Sequence, residues 1–182
     1  MFLSFTTVVT LLSIFTGGFS APVNQTAGIS WNKIKEGSLK LNNLAKRLLI
    51  EEFSHLKTVE RDVKMPTVVV EARDKCDPTN LRLDSMPCFR KMVSALKNYR
   101  TVFGTISQFK KNCKKVGKTV NKVVKELLID MKDSSPDSDE NWSTVHSWEE
   151  PGLCHDSIEK LFSFSILMAR VFAPGDPAKH NI

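Results

Sequence analysis

Hydrophobic residues recur every three or four positions along four stretches of the chain, with lysine, asparagine and glutamate between them. This spacing places the apolar side chains on one face of an α-helix. The pattern predicts helix A over about residues 29–56, helix B over 86–103, helix C over 113–131 and helix D over 148–173. Residues 57–84 carry no such stripe, although the β-branched run at 67–70 allows one short strand.

The lengths of the connections constrain how these helices can be arranged. A helix of about 25 residues is about 38 Å long. The A–B and C–D connections can each cross that distance, whereas the segment from Gly104 to Asn112 reaches only about 30 Å. Helices B and C should therefore be antiparallel neighbours. We expect an all-α fold, a four-helix bundle wound up-up-down-down with long A–B and C–D crossovers, which is typical of secreted cytokines.

The beginning of the chain has the features of a signal peptide. An apolar run from Phe2 to Phe15 is followed by small residues, and cleavage after Ser20 would suit them. The run is shorter than the roughly 20 apolar residues that cross a bilayer. We therefore predict a signal peptide over residues 1–20 and one secreted, extracellular domain over 21–182, without membrane insertion.

Composition and charge agree with a folded chain that can bind acidic partners. Hydrophobic residues make up 41% and charged residues 25%, which excludes disorder along the whole chain. The net charge of +6 permits sulfated glycans, nucleic acid or an acidic protein face as partners. Two sequons, at Asn24 and Asn141, predict glycosylation in a secreted protein.

Four cysteines lie in the predicted mature part, and in a secreted chain an even number indicates disulfides. Cys76 and Cys88 enclose a short segment, so closing that loop costs little entropy. Cys113 and Cys154 then remain, either as a second pair or as a link to another chain.

The sequence shows no catalytic constellation, and we expect neither an enzyme nor a cofactor nor a metal site. Gly117-Lys118-Thr119 lacks the earlier glycine of a phosphate-binding loop, and the four histidines lack zinc-ligand spacing. Nucleic acid is not an expected partner. Lysines are dense at the start of helix C and could hold heparan sulfate, although a solvated helix face is the simpler interpretation. The candidate glycan-binding residues are Lys110, Lys111, Lys114, Lys115 and Lys118.

Two segments resemble a known family. The stretch from Cys76 to Arg82, with Cys88-Phe89 and Tyr99 after it, resembles the interleukin-23 alpha subunits of the interleukin-6/interleukin-12 family of long-chain helical cytokines. The stretch from Ala169 to Ala173 is similar to the last helix of that family, which also has a tryptophan at the position of Trp148. The resemblance covers about residues 76–104 and 148–175, whereas helix A shares mainly Ser30-Trp31 and helix C diverges. It implies a divergent member, with the interleukin-12 alpha subunit as the related alternative.

The resemblance implies a secreted subunit that pairs with the interleukin-12 beta chain. The pair would engage the interleukin-23 receptor and the interleukin-12 receptor beta-1 chain and signal through JAK-STAT in immune and inflammatory responses. By analogy, Arg170 binds the beta chain, Trp148 binds the receptor, and Cys76 and Cys88 form the family's intrachain disulfide. The family's cysteine for a covalent link to the beta chain is replaced here by Ala72. The competing hypothesis is a stand-alone basic secreted factor held on sulfated glycans.

Overall fold

The structure is a computed structural model that describes residues 29–51, 69–109, 113–133 and 145–175 of the 182-residue chain. Within these residues the chain is helical, with five α-helices, one 3-10 turn and no β-strand, so the predicted all-α class is confirmed. The α-helices are α1 (Trp31–Glu51), α2 (Pro78–Leu83), α3 (Met86–Ile106), α4 (Cys113–Asp130) and α5 (Glu150–Phe172). None of the described helices combines the length and apolar character that crossing a bilayer requires.

Several predicted features lie outside the described residues. They are the signal peptide over 1–20, the sequons at Asn24 and Asn141, the lysines Lys110 and Lys111, and the part of helix A beyond Glu51. Of the run that allowed a strand, residues 69 and 70 are in irregular structure and residues 67 and 68 are not described.

The four long helices are amphipathic, and their apolar stripes meet in one core. The stripe of α1 is Trp31, Ile34, Leu41, Leu44, Ala45 and Leu48, and that of α4 is Val116, Val120, Val123, Val124, Leu127 and Leu128. In α3 the largest fully buried side chains include Tyr99 and Phe103, and Phe172 of α5 is buried as well. Removal of this apolar area from water is the main force that holds the helices together.

Helix α3 starts where the sequence predicts it and ends later. Oδ1 of Asp84 accepts a hydrogen bond from the backbone N–H of Met86 at 3.0 Å, and Pro87 occupies the first turn, where a missing N–H costs nothing. The helix continues through Gly104 to Ile106 instead of ending at 103. Ile106 is fully buried, so packing outweighs the low helix propensity of Gly104.

Helix α2 was not predicted, because six residues are too few to show a hydrophobic stripe. Its start is nevertheless encoded in the sequence. Oδ1 of Asp77 accepts hydrogen bonds at 3.1 Å from the N–H groups of Thr79 and Asn80, and Pro78 is the first helical residue. An N-capping aspartate followed by proline is a strong start signal.

Contacts between helix ends give the relative direction of two helix pairs. Trp31 at the start of α1 lies against Phe172 at the end of α5, with 6.0 Å between ring centroids. Farther along α1, Nδ2 of Asn42 donates to Oγ of Ser165 at 3.1 Å. Helices α1 and α5 are therefore antiparallel.

Helices α3 and α4 are also antiparallel. The close contact of Gly117 with the backbone of Ser107 joins the start of α4 to the end of α3. Nζ of Lys97, in the middle of α3, lies 3.0 Å from Oδ2 of Asp133, which follows the end of α4. Helix α4 also packs against α1, where Nζ of Lys40 lies 2.6 Å from Oε2 of Glu126.

Candidate functional site

Two disulfides join segments that carry the predicted site residues. Cys76 is bonded to Cys88, with 4.9 Å between their Cα atoms, and this bond ties the chain before α2 to the first turn of α3. Cys113 is bonded to Cys154, with Cα atoms 6.2 Å apart, which joins the starts of α4 and α5. Of the alternatives for Cys113 and Cys154, the structure contains the internal pair. All four cysteines are bonded, so none offers a thiol to another chain.

A groove of about 470 Å³ lies between α2 and the end of α5, and we call it the α2/α5 groove. It contains Arg170, the predicted beta-chain anchor. The residues that line it are Cys76, Pro78, Leu81, Arg82, Leu167, Arg170, Val171, Pro174 and Gly175. Most of these side chains are apolar, so the groove could desolvate a partner's side chain beside a guanidinium.

The α2 wall of the groove is held by local hydrogen bonds. Nδ2 of Asn80 donates to Oδ2 of Asp77 at 2.6 Å. This bond, followed by the backbone N–H bonds to the same carboxylate, keeps the pKa of Asp77 below its ordinary value. Nε of Arg82 donates to the carbonyl oxygen of Pro78 at 3.3 Å, which holds the arginine along the helix.

A second carboxylate fixes the turn that leads into this wall. Oδ2 of Asp74 accepts a hydrogen bond from the backbone N–H of Glu71 at 2.8 Å, and Nζ of Lys91 on α3 lies 3.5 Å from the same oxygen. The backbone hydrogen bond, and then the charge of Lys91, lower the pKa of Asp74. The segment before Cys76 is thereby held by contacts to α3 as well as by the disulfide.

The α5 wall is closed by a turn that needs glycine. The backbone N–H of Gly175 donates to the carbonyl of Phe172 at 2.9 Å. Gly175 has a φ of 87°, a backbone conformation that residues with a β-carbon rarely adopt. Behind this wall, Trp31 packs edge-on against Phe89, with 5.8 Å between ring centroids, as well as against Phe172. The buried aromatic cluster supports the residues that face the groove.

The groove is positively charged. Arg170 and Arg82 are both exposed, and no acidic residue is among those that line the groove. Neither arginine makes a salt bridge with a residue that the structure describes. The groove therefore combines an apolar floor with two guanidinium groups that can each bind a carboxylate in bidentate fashion.

Trp148, the predicted receptor anchor, lies at the opposite end of α5. It is in the turn before the helix instead of within it, and 68% of its surface is exposed. Its indole stacks on the imidazole of His146, with a centroid distance of 6.1 Å and 7° between the planes. The carboxylate of Glu149 accepts a hydrogen bond from the backbone N–H of His146 at 2.7 Å, which holds this turn. The structure places Trp148 and Arg170 in separate sites.

The described lysines of the predicted glycan-binding surface are on α4. Lys114, Lys115 and Lys118 are exposed, and two further exposed lysines follow them along the helix. We call the five residues Lys114, Lys115, Lys118, Lys122 and Lys125 the lysine ridge. It is separate from the α2/α5 groove and from Trp148.

The chain matches no protein-family model and no curated protein.

Two features of the groove were not predicted as parts of a site. Arg82 and the wall that carries it belong to α2, which the hydrophobic pattern did not reveal. The signal that could have found this helix is Asp77-Pro78, a capping residue followed by proline.

Among the described histidine, cysteine, aspartate and glutamate side chains, no three come close enough together to hold a metal ion.

Proposed function

We propose that this chain is a secreted cytokine subunit that pairs with the interleukin-12 beta chain through the α2/α5 groove, forming an interleukin-23-type heterodimer. The observation that carries the proposal is the exposed Arg170 at an apolar groove that contains a second arginine and no acidic residue. The segments that resemble the interleukin-23 alpha subunits, 76–104 and 148–175, include every residue that lines this groove.

The proposed fold is the up-up-down-down four-helix bundle, formed by α1, α3, α4 and α5. Four observations support it. Helix α1 is antiparallel to α5, α3 is antiparallel to α4, and a disulfide joins the starts of α4 and α5. Trp31 and Phe89 are in contact near the starts of α1 and α3, as two parallel helices require. These four relationships together support the proposed winding, which is that of long-chain helical cytokines.

Arg170 is the proposed anchor for the beta chain. A guanidinium in a partly apolar groove pairs with a carboxylate more strongly than one in open water, because the surrounding side chains exclude solvent. Interface anchors of this kind are often arginine, and replacing one typically costs at least about 2 kcal/mol of binding free energy. Arg82, on the facing wall, would strengthen the attraction to an acidic partner.

Trp148 is the proposed anchor for the interleukin-23 receptor. The interleukin-12 receptor beta-1 chain would be the second receptor, and JAK-STAT signalling in immune cells would be the response. In the free protein 68% of the surface of this indole is exposed, so a large apolar area is in contact with water. Burying that area against a receptor is favourable, and the stacked His146 pre-orients the ring. The chain would act by binding and not as an enzyme.

Pairing with the beta chain is expected to be non-covalent. The position of the family's interchain cysteine is Ala72, and all four cysteines of this chain are in internal disulfides. The heterodimer would then depend on non-covalent contacts, so a single charge reversal at the proposed anchor in the groove should have a large effect.

The proposal is tested by co-expression with the interleukin-12 beta chain in a secretory cell, followed by capture of the beta chain. We expect the wild-type chain to be captured and to run separately from the beta chain on gels without reductant. Arg170→Glu should lower its affinity for the beta chain by about 30-fold or more. Arg82→Glu should give a smaller loss in the same direction.

Arg47→Glu is the matched control. Arg47 is also an exposed helical arginine, but it lies near the end of α1, whereas the start of α1 is the part that packs beside the groove. Equal capture of the wild type, Arg47→Glu and Arg170→Glu would remove the assigned anchor. Secretion of the wild-type chain with no capture at all would contradict the pairing and favour a stand-alone factor.

A further inference from the structure

The lysine ridge occupies the side of α4 that faces away from the core. Successive residues of an α-helix turn by roughly 100°, and on this basis the five lysines fall within about 100° of one another. The buried residues of α4, such as Val120 and Val124, lie on the opposite side. From Lys114 to Lys125 the ridge is about 16 Å long. It is therefore a continuous cationic strip on the surface.

Within α4, carboxylates lie at only one end of this strip, where the charge of Lys122 also acts on Glu126. The helix has two acidic residues, Glu126 and Asp130, and both follow the last lysine of the ridge. Glu126 is already held by Lys40 of α1, at 2.6 Å, and this hydrogen bond lowers its pKa. At the other end, the partial positive charge of the start of α4 adds to Lys114 and Lys115.

A neighbouring arginine widens the strip toward α1. Arg47 and Thr119 line the same groove between α1 and α4, and the hydroxyl of Thr119 donates to the carbonyl of Lys115 at 2.9 Å. Arg47 forms an exposed ion pair with Glu51, with 4.0 Å between Nε and the carboxylate, which is longer than a hydrogen bond. Its guanidinium can still donate hydrogen bonds to a further anion. Glu36 lines the other part of this groove, so an anionic ligand should follow the ridge and not the groove.

We infer that the lysine ridge, with Arg47 at its side, binds a linear sulfated glycan of the heparan sulfate class. Regularly spaced sulfates would contact the lysines and release the counterions condensed on the glycan. The disulfide between Cys113 and Cys154 fixes the start of α4, so the strip is held in place before the ligand binds.

Other polyanions fit these observations less well. A membrane-binding helix needs large apolar side chains beside its lysines, but the apolar stripe of α4 is buried in the core. Its one strongly exposed apolar residue, Ile129, lies beyond the ridge. Two disulfides are typical of oxidising compartments, where sulfated glycans are abundant and nucleic acid is not the usual polyanion.

The test uses heparin binding by the full mature chain and by two triple variants with the same net charge. Lys114→Gln, Lys118→Gln and Lys122→Gln remove three of the five ridge lysines. Lys35→Gln, Lys46→Gln and Lys75→Gln remove three lysines elsewhere and serve as the control. At the five helical positions glutamine keeps a helix propensity close to that of lysine, and Lys75 lies outside the helices, so both variants should fold.

We expect the ridge variant to bind heparin at least about tenfold more weakly at about 0.15 M salt. The negative slope of log affinity against log salt should decrease in magnitude by about two to three. The control variant should change both by much less. Equal losses in the two variants would show that net charge alone controls binding and would overturn the site. Equal affinity for a DNA duplex, or preferential binding to phosphatidylserine vesicles at the same salt, would overturn the glycan class. This test does not require the beta chain, so its result is independent of the proposed pairing.

Discussion

The indole of Trp31, the first residue of α1, lies 6.0 Å from the ring of Phe172, the last residue of α5. The same indole contacts Phe89 near the start of α3. One side chain therefore joins three helix ends directly behind the α2/α5 groove. The stability of the fold and the shape of the groove both depend on this contact.

Trp31→Ala should lower the free energy of unfolding by about 3–5 kcal/mol, because it removes a large buried aromatic side chain and leaves a cavity. Trp31 is 9% exposed, whereas Trp148 is 68% exposed. Trp148→Ala is therefore the matched control and should change the unfolding free energy by less than about 0.5 kcal/mol. Chemical denaturation followed by circular dichroism measures both values. Similar losses in the two variants would contradict the packing role of Trp31.

Trp148→Ala should weaken binding to the interleukin-23 receptor by about 30-fold or more while leaving capture by the beta chain unchanged. The reason is that Trp148 and Arg170 lie at opposite ends of α5. Surface plasmon resonance on the purified heterodimer measures the receptor affinity. Ile129→Ala is the control, because Ile129 is 71% exposed and lies near the end of α4, whereas the starts of α4 and α5 are joined by a disulfide. Unchanged receptor affinity of Trp148→Ala would remove the receptor assignment.

Gly117→Ala should destabilise the chain by about 1–3 kcal/mol through overpacking. A β-carbon at this position would lie 2.5 Å from the backbone nitrogen of Ser107 and 2.8 Å from the carbonyl carbon of Ile106, and backbone atoms cannot easily move away. Gly104→Ala is the control on the facing helix, since its β-carbon would come no closer than 3.8 Å, to Nδ2 of Asn121.

Gly104→Ala should instead be neutral or stabilise the chain by up to about 1 kcal/mol, because alanine is the better helix former. Thermal unfolding of the two variants gives opposite signs if α3 and α4 approach as described. Two destabilised variants, or two stabilised ones, would contradict that approach.

Replacing both Cys113 and Cys154 with alanine should cost about 4 kcal/mol, and replacing both Cys76 and Cys88 about 3 kcal/mol. The bond between Cys113 and Cys154 spans 41 residues, whereas the bond between Cys76 and Cys88 spans 12. The longer loop loses more entropy when it is closed. Denaturant titration of the two double variants tests the order. A larger loss from removing the Cys76–Cys88 bond would contradict the loop-length argument and indicate that this bond also holds the groove wall. In that case the Cys76/Cys88 variant should also lose capture by the beta chain.

Stability should fall in acid partly through Asp77. The folded chain lowers the pKa of this carboxyl group, so its stabilising effect is fully present above the unfolded pKa of about 4 and is lost as the pH falls through the folded pKa. Asp77→Asn keeps an acceptor for the N-cap and removes the titration. The wild type should therefore lose stability relative to Asp77→Asn below about pH 4. A difference between the two proteins that does not change with pH would contradict the assignment.

The four long helices could be predicted because their hydrophobic spacing is a local property of the sequence. The stripes in α1 and α4 repeat over several turns, and no other regular structure places such residues on one side. The ends of the helices are harder to predict than the helices themselves, and Gly104 is an example. A glycine often ends a helix, but the burial of Ile106 extends this one, and burial depends on residues distant in sequence.

The two candidate sites could be predicted only in part. Arg170 and Trp148 are predicted through resemblance, whereas the apolar floor around Arg170 is created by packing residues near 78 against residues near 171. Such long-range contacts leave no periodic trace in the sequence. The bond between Cys113 and Cys154 is similar, since four cysteines allow three pairings and spacing alone does not choose among them.

Helix α5 has 23 residues and is therefore about 34 Å long. Arg170 is in its last turn, and Trp148 immediately precedes its first turn. The helix would thus act as a strut between the two proposed docking points. Two proteins bound at its ends would be held apart by its whole length, so they could assemble in either order and neither would have to displace the other.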